Sequence, residues 1–283
     1  MRALVLTSLI VTAGTGSSLA QETSPPPVDV ECVVRAALDY MEGALAADAE
    51  RVARGTHPEL TKVTVSTLPS GRQMLSYNGQ TMLVEWVRGQ SGGSTAADRN
   101  VEVTVFDAGN DLAAARATSA RWYDFLQLAK IDGRWRIVNV LWARNDGEVV
   151  ASDQRAADSA AVTRTALDYI EGAYAGDAAR MDRALHPELT KVLLTHHPET
   201  GRPLLYRIGA SNLVEGTRAG LGNLPEDRRH IAVEIYDISR DMAALKVTSA
   251  MYVDHLQIAK VNGEWKIVNV LWVPNPEAPP REG

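Results

Sequence analysis

TSARWYDFLQLAKIDGRWRIVNVLW, residues 118–142, returns as TSAMYVDHLQIAKVNGEWKIVNVLW, residues 248–272. Sixteen of the 25 aligned positions are identical. Upstream, ALDYMEGALAADAERVARGTHPELTKV (37–63) returns as ALDYIEGAYAGDAARMDRALHPELTKV (166–192). From Ala36 to Val63, 19 of 28 positions match at an offset of 129, and the later block matches at 130. A period near 130 is too long for a solenoid repeat and has the size of a domain. Two homologous domains are therefore expected, at 29–145 and 158–275, joined by a linker at 146–157 and followed by a tail at 276–283.

Inside each repeat the apolar period changes from helical to strand-like. Val34, Leu38, Met41 and Leu45 fall on one helical stripe, and Leu167, Ile170 and Tyr174 copy it. Asp29 and Asp158 are expected N-caps of these helices. Gly43 and Gly172 sit inside them and imply close approach of another element. A short second helix is expected from Asp48 to Gly55, with HPEL turning the chain after it. Strands follow at 61–67 and 73–77, then a third helix at 80–88, copied at 211–219. The rest of the repeat is an antiparallel meander of about four long strands. Helices first and strands afterwards make an α+β domain with helices packed on one face of a sheet.

Strand 122–130 puts Trp122, Asp124, Leu126 and Leu128 on one face. Tyr123, Phe125, Gln127 and Ala129 take the other. In the last strand Trp135, Ile137, Asn139 and Leu141 alternate with Arg136, Val138, Val140 and Trp142. Both faces are substantially apolar, so the face away from the helices needs a cover. The other repeat is the expected cover, packed sheet to sheet as an intrachain pseudo-dimer.

The whole chain has 283 residues, 45% hydrophobic and 23% charged, with net charge −6. Such a balance supports a folded core and gives no basic footprint for nucleic acid. The single cysteine, Cys32, forbids an intramolecular disulfide and a cysteine-rich zinc site. Arg2, the apolar run 3–13 and Ser18-Leu19-Ala20 read as a signal peptide over 1–20. A proline-rich leader, 21–28, follows. The expectation is an exported protein, periplasmic or extracellular, without a membrane anchor.

The set ALDYxEG, HPEL, the strand starts Asp111-Leu112-Ala113 and Asp241-Met242-Ala243, D-x-L-x-L/I-x-K and G-x-W-[RK]-I-V-N-V-L-W occurs twice in order. It resembles the putative lumazine-binding family of the nuclear-transport-factor-2-like superfamily. That resemblance implies two tandem cone-shaped domains, each with N-terminal helices packed on a strongly curved antiparallel sheet. It implies a small-molecule site at the mouth of the cone. It does not imply one activity, because the superfamily hosts isomerases, dehydratases, polyketide cyclases, transport factors and binders.

Asp124 and Asp254 are candidates for a buried carboxylate lined up with large apolar residues. Tyr40 and Tyr169 flank the stripe of the first helix and could reach the cone with their hydroxyls. With Trp122 and Tyr252 they form the expected ligand-binding set. His57 and His186 open HPEL and are further catalytic candidates, or bind the carbonyls that end the preceding helix. His196 and His197 are adjacent, and neighbours on a strand point opposite ways, so no metal site is read there. No cofactor motif is present: a Gly-rich phosphate loop, a G-x-S-x-G elbow and H-E-x-x-H are all missing. No complete catalytic set emerges, which favours a non-catalytic binder of a small organic molecule, or a scaffold. The alternative is an isomerase- or dehydratase-type enzyme using an Asp base and a Tyr donor. A third reading is an interaction module with filled cones.

Overall fold

A computed structural model describes residues 27–95, 100–147 and 151–278. The expected signal peptide, most of the leader and the end of the tail lie outside these residues. Helix α1 runs Pro27–Ala46 and α2 runs Ala49–Gly55. Asp48 caps α2, accepting a hydrogen bond from the Arg51 amide at 2.9 Å. Gly43 lies where α2 crosses: a Cβ there would come within 3.0 Å of the Val52 backbone nitrogen. That is the close approach its place in a helix implied.

The helix register differs from the sequence pattern in two respects. The buried seam of α1 runs through Val33, Ala37, Tyr40, Met41 and Leu45, so Tyr40 lies in the seam instead of beside it. Asp29 lies in the first turn of α1 and does not cap it. It accepts Lys130 Nζ at 2.8 Å and Trp135 Nε1 at 2.9 Å, tying the helix to the sheet. Asp158 likewise lies inside α4 (Ser152–Ala175), which starts within the expected linker. There it accepts Trp265 Nε1 at 3.1 Å and Lys260 Nζ at 3.2 Å. An acid with two fixed donors across the fold is worth more as a tie than as a cap.

Strands β1 (Thr56–Thr67), β2 (Gln73–Asn78), β3 (Glu102–Gly109), β4 (Leu112–Thr118), β5 (Trp122–Ile131) and β6 (Arg134–Arg144) form one sheet. Its order is β2-β1-β6-β5-β4-β3, with α3 (Gln80–Arg88) between β2 and β3. The sheet is not wholly antiparallel as expected, because β1 joins β6 in parallel. HPEL is not a turn either. It lies within β1, where Thr56 pairs with Ile137 and Thr61 with Asn139, so it bulges opposite Val138. The second repeat copies this plan with α5 (Ala178–Ala184), β7 (Leu185–His196), β8 (Pro203–Gly209), α6 (Ala210–Arg218), β9 (Ala232–Ser239), β10 (Met242–Thr248), β11 (Tyr252–Val261) and β12 (Glu264–Pro274).

The bulge reaches β6 as well. Gln127 of β5 pairs with Asn139 but Leu128 pairs with Ile137, leaving Val138 as an extra residue. An extra residue reverses the alternation beyond it. Trp135 and Ile137 face the helices, and so do Val140 and Trp142. Strict alternation had put Trp142 on the opposite face. Leu141, by contrast, joins Phe125 on the outer face.

The outer faces of the two sheets cover each other. Phe125, Leu141 and Leu75 pack with Met242, Ala259 and Val268, while Ala129 and Val138 pack with Val192 and Leu271. Gln127 Nε2 donates to the His255 carbonyl at 2.8 Å, and Gln257 Nε2 donates to the Phe125 carbonyl at 2.8 Å. Asp237 accepts Tyr123 Oη at 2.6 Å, and Asp107 accepts Tyr236 Oη at 3.3 Å. The two glutamine contacts exchange with the repeats, as an isologous pair requires; the two Asp–Tyr contacts do not, because Tyr123 corresponds to Val253 and Tyr236 to Phe106.

Candidate functional site

Four elements bring side chains to the head of the first cone. Tyr40 comes from α1, Lys62 from β1, Asp124 from β5 and Trp142 from β6. Lys62 Nζ donates to Tyr40 Oη at 2.5 Å and to Asp124 Oδ2 at 2.9 Å. The Tyr40 hydroxyl donates to the same Asp124 oxygen. Lys62 Nζ also lies 4.5 Å from the centre of the Trp142 ring, a cation–π contact. Trp122 meets Trp142 edge to face at 5.1 Å, and the Arg144 guanidinium lies 5.6 Å from the Trp122 ring centre.

Burial sets the electrostatics. It pushes the Lys62 ammonium below its ordinary range against the opposing pull of Asp124. It also raises the Tyr40 phenol well above 10, and the Asp124 charge adds to this, so the hydroxyl stays protonated as a donor. A buried ion pair is tolerated only when its other polar atoms find partners. Here the pair's Asp124 Oδ1 does not, and the neighbouring strand's Trp142 Nε1 is likewise buried without a hydrogen bond. Asp124 and Trp142 are direct cross-strand partners, and both line a cavity of about 340 Å³. Met41, Trp122, Met82 and Trp86 form other parts of its wall. Met82 and Trp86 stand at its mouth on α3, 63% and 55% exposed.

The second cone repeats the head. Tyr169 Oη donates to Asp254 Oδ1 at 3.0 Å, and Lys191 Nζ donates to the same oxygen at 2.9 Å and to the Tyr169 hydroxyl. Asp254 Oδ2 and Trp272 Nε1 are again buried and unpartnered. Burial raises the Tyr169 phenol as it does Tyr40. The walls differ. Strand register places Ile208 where the first repeat has Asn78, and α6 carries Asn212 and Gly216 at the places of Met82 and Trp86. Tyr174 replaces Leu45, donating to Ser249 Oγ at 2.7 Å and accepting from the Met251 amide at 3.1 Å.

The family model described as "Putative lumazine-binding" matches residues 29–143 and again 157–273. The chain belongs to this family. The chain is also similar, over less than half its length in each case, to solved structures. One is an NTF2-like protein of unknown function from Shewanella baltica OS155, 17% identical, with TM-score 0.36, covering 44% of this chain and 98% of that one. Another, from Silicibacter pomeroyi DSS-3, is 19% identical with TM-score 0.36 and covers 43% and 98%. A third, from Novosphingobium aromaticivorans, is an NTF2-like protein with a cystatin-like fold, 19% identical, TM-score 0.32, covering 46% and 88%. No curated protein matches the chain.

Of the residues singled out from sequence, each family domain brings its Tyr–Asp pair together, Tyr40 with Asp124 and Tyr169 with Asp254. Trp122 lines the first cavity, and Tyr252 lies 5.3 Å from Trp272 in the second cone. The histidines stand elsewhere. His57 Nδ1 accepts from the Glu59 amide at 3.2 Å, and His186 Nδ1 accepts from Glu188 at 3.2 Å. Each therefore holds the HPEL bulge, not the end of a helix. Burial lowers both imidazoles. His197 Nδ1 caps its own turn through the Glu199 amide at 3.3 Å. Among the described residues no cluster of three or more acidic, His or Cys side chains could hold a metal ion, and no helix is long and apolar enough to cross a membrane.

Sequence reading missed Lys62 and Lys191 altogether. Their signal was a lysine repeated in both copies of HPELTKV, two residues after buried Leu60 or Leu189, where an exposed strand edge would tolerate drift. It also missed Trp86 and misplaced Trp142. Trp86 belongs to the stretch least alike between the repeats.

Proposed function

We propose that this is an exported, non-catalytic binding protein whose first cone holds a small, flat aromatic molecule. The observation that carries this reading is the cavity of about 340 Å³ lined by Trp86, Trp122, Trp142 and Asp124, the last two of which each keep a buried polar atom, Nε1 and Oδ1, without a partner. Apolar walls with a few fixed polar groups are the make-up of a small-molecule site. The Lys62–Asp124 pair is internally neutral, so a neutral ligand is not penalised by an uncompensated charge. The family's name points the same way, toward a heteroaromatic compound. Tyr40, Lys62 and Asp124 face one another, an arrangement that supports positioning over proton transfer across a substrate. The second repeat covers the sheet of the first and repeats the polar head with fewer aromatic walls. Export rests on the N-terminal sequence pattern alone.

Titrating the full chain with a panel of flat heteroaromatics, lumazine among them, while following tryptophan emission tests the reading. Saturable quenching that is lost in Trp86→Gly supports it; an unchanged spectrum across the panel contradicts it. A second reading, an isomerase- or dehydratase-type enzyme, draws on the free Asp124 Oδ1 at the cavity head. It requires turnover of a bound compound that Asp124→Asn abolishes while binding persists.

A further inference from the structure

We infer that the first cone reads a neutral ring by one particular edge: a hydrogen-bond donor and an acceptor on adjacent atoms, as in a cyclic amide or an aminoazine. This rests on the cone being a binding site and goes further by naming the chemistry of its ligand.

The inference follows from what the head of the cavity leaves undone. Asp124 Oδ2 already accepts from Lys62 and Tyr40, whereas Oδ1 accepts from nothing. Trp142 Nε1 can only donate, and it donates to nothing. Leaving a buried donor or acceptor unmade carries its full desolvation penalty, and for a charged acceptor more. The two atoms belong to residues directly opposite each other on β5 and β6, on the same face. Opposite residues hold their Cβ atoms roughly 4.5–5.5 Å apart. Both residues line the cavity, so one ligand edge laid against this pair would offer an N–H to the carboxylate and an acceptor to the indole.

Other chemistries fit less well. An anion would face Asp124 Oδ1, while the lysine that lines the cavity, Lys62, is already engaged by Asp124, Tyr40 and the Trp142 ring. A plain hydrocarbon would fill the aromatic walls and leave both polar atoms unpaired. The same orphan pair recurs as Asp254 Oδ2 and Trp272 Nε1, again on directly opposed residues. An unpaired donor and acceptor at the same places in both domains belong to the repeated fold and not to an accident of one site.

The test uses the full chain and two probes, 2-quinolone and N-methyl-2-quinolone, measured by titration calorimetry. They share a flat bicyclic ring and a carbonyl, and differ at the nitrogen, which carries a hydrogen in the first and a methyl group in the second. The free N–H compound is expected to bind roughly tenfold or more tightly. Trp142→Phe keeps a ring in the wall and removes the donor, and is expected to shrink that preference. Trp272→Phe in the second cone is expected to leave it unchanged. Equal affinity for the two probes overturns the inference while leaving the cone a binding site, and is also the result if a water bridges the two atoms. Binding of neither probe overturns the edge chemistry; if the wider aromatic panel fails too, the binding reading falls with it.

Discussion

Lys62 of β1 and Asp124 of β5 meet at 2.9 Å in the closed head of the first cone, with the Tyr40 hydroxyl bonded to both. Removing one member strands the others. Lys62→Met leaves a buried carboxylate facing only a phenol, and is expected to cost about 3–5 kcal/mol of stability. The triple change Tyr40→Phe, Lys62→Met and Asp124→Leu removes every polar atom of the cluster together. It is expected to recover most of that loss, since apolar replacement of a whole buried pair is often neutral. Urea unfolding of the two variants decides. Equal destabilisation by both would show that the loss comes from packing and not from an unpaired charge.

Gly43 stands where α1 passes α2. Alanine is the better helix former by about 0.8–1.0 kcal/mol. Its Cβ would, however, come within 3.0 Å of the Val52 backbone nitrogen and Cγ2. Overpacking of that kind costs about 1–3 kcal/mol. Gly43→Ala is therefore expected to lower the denaturation midpoint; a raised midpoint would mean that the two helices can slide apart freely.

His255 takes the place of Phe125 in the face between the repeats. It is fully buried, stacked near Tyr236 at 6.1 Å, and its Nε2 lies 3.6 Å from Asp107, with Lys246 and Asp254 also acting on it. Burial pulls it down to about 4 from an ordinary 6.5, with Asp107 opposing and Lys246 assisting. The folded chain thus binds fewer protons than the unfolded one in this window. Its contribution to stability is complete above pH 6.5 and is lost as the pH falls toward 4. His255→Phe, which copies the other repeat, is expected to flatten the decline of thermal midpoint over that range. A wild-type curve and a variant curve of the same slope would contradict this.

The duplication, the α+β order and the mutual cover of the sheets were legible because identical blocks and two-faced apolar strands leave few other arrangements. The Tyr40–Asp124 pair was half legible, since each residue could be placed on a face but their meeting depends on the tilt of α1 over β5. Trp142 was misread because one extra residue, Val138, reverses the strand face beyond it, and no composition signal marks a bulge. HPEL carried proline and histidine, the letters of a turn, yet it forms the long bulge of β1. Lys62 escaped because a lysine is ordinarily read as solvated. Only its pairing with a residue 62 positions away shows why it can be buried.

The walls of the two cones should behave differently. Trp86 of α3 corresponds to Gly216 of α6, and Met82 to Asn212. Transplanting the second set into the first, as Met82→Asn with Trp86→Gly, is expected to weaken ligand binding at least tenfold, while the unfolding midpoint falls only by what a glycine inside α3 costs, about 1 kcal/mol or less, because both side chains are more than half exposed. Calorimetric titration and thermal unfolding of the same preparation read the two effects separately.

The most direct measurement is native mass spectrometry of the full chain purified from its host without denaturation. A bound aromatic molecule in the first cone should appear as a discrete added mass, absent from the Met82→Asn, Trp86→Gly variant and present in Trp272→Phe. An unshifted mass in the wild type, together with no uptake from a panel of flat heteroaromatics, would contradict a ligand-binding first cone.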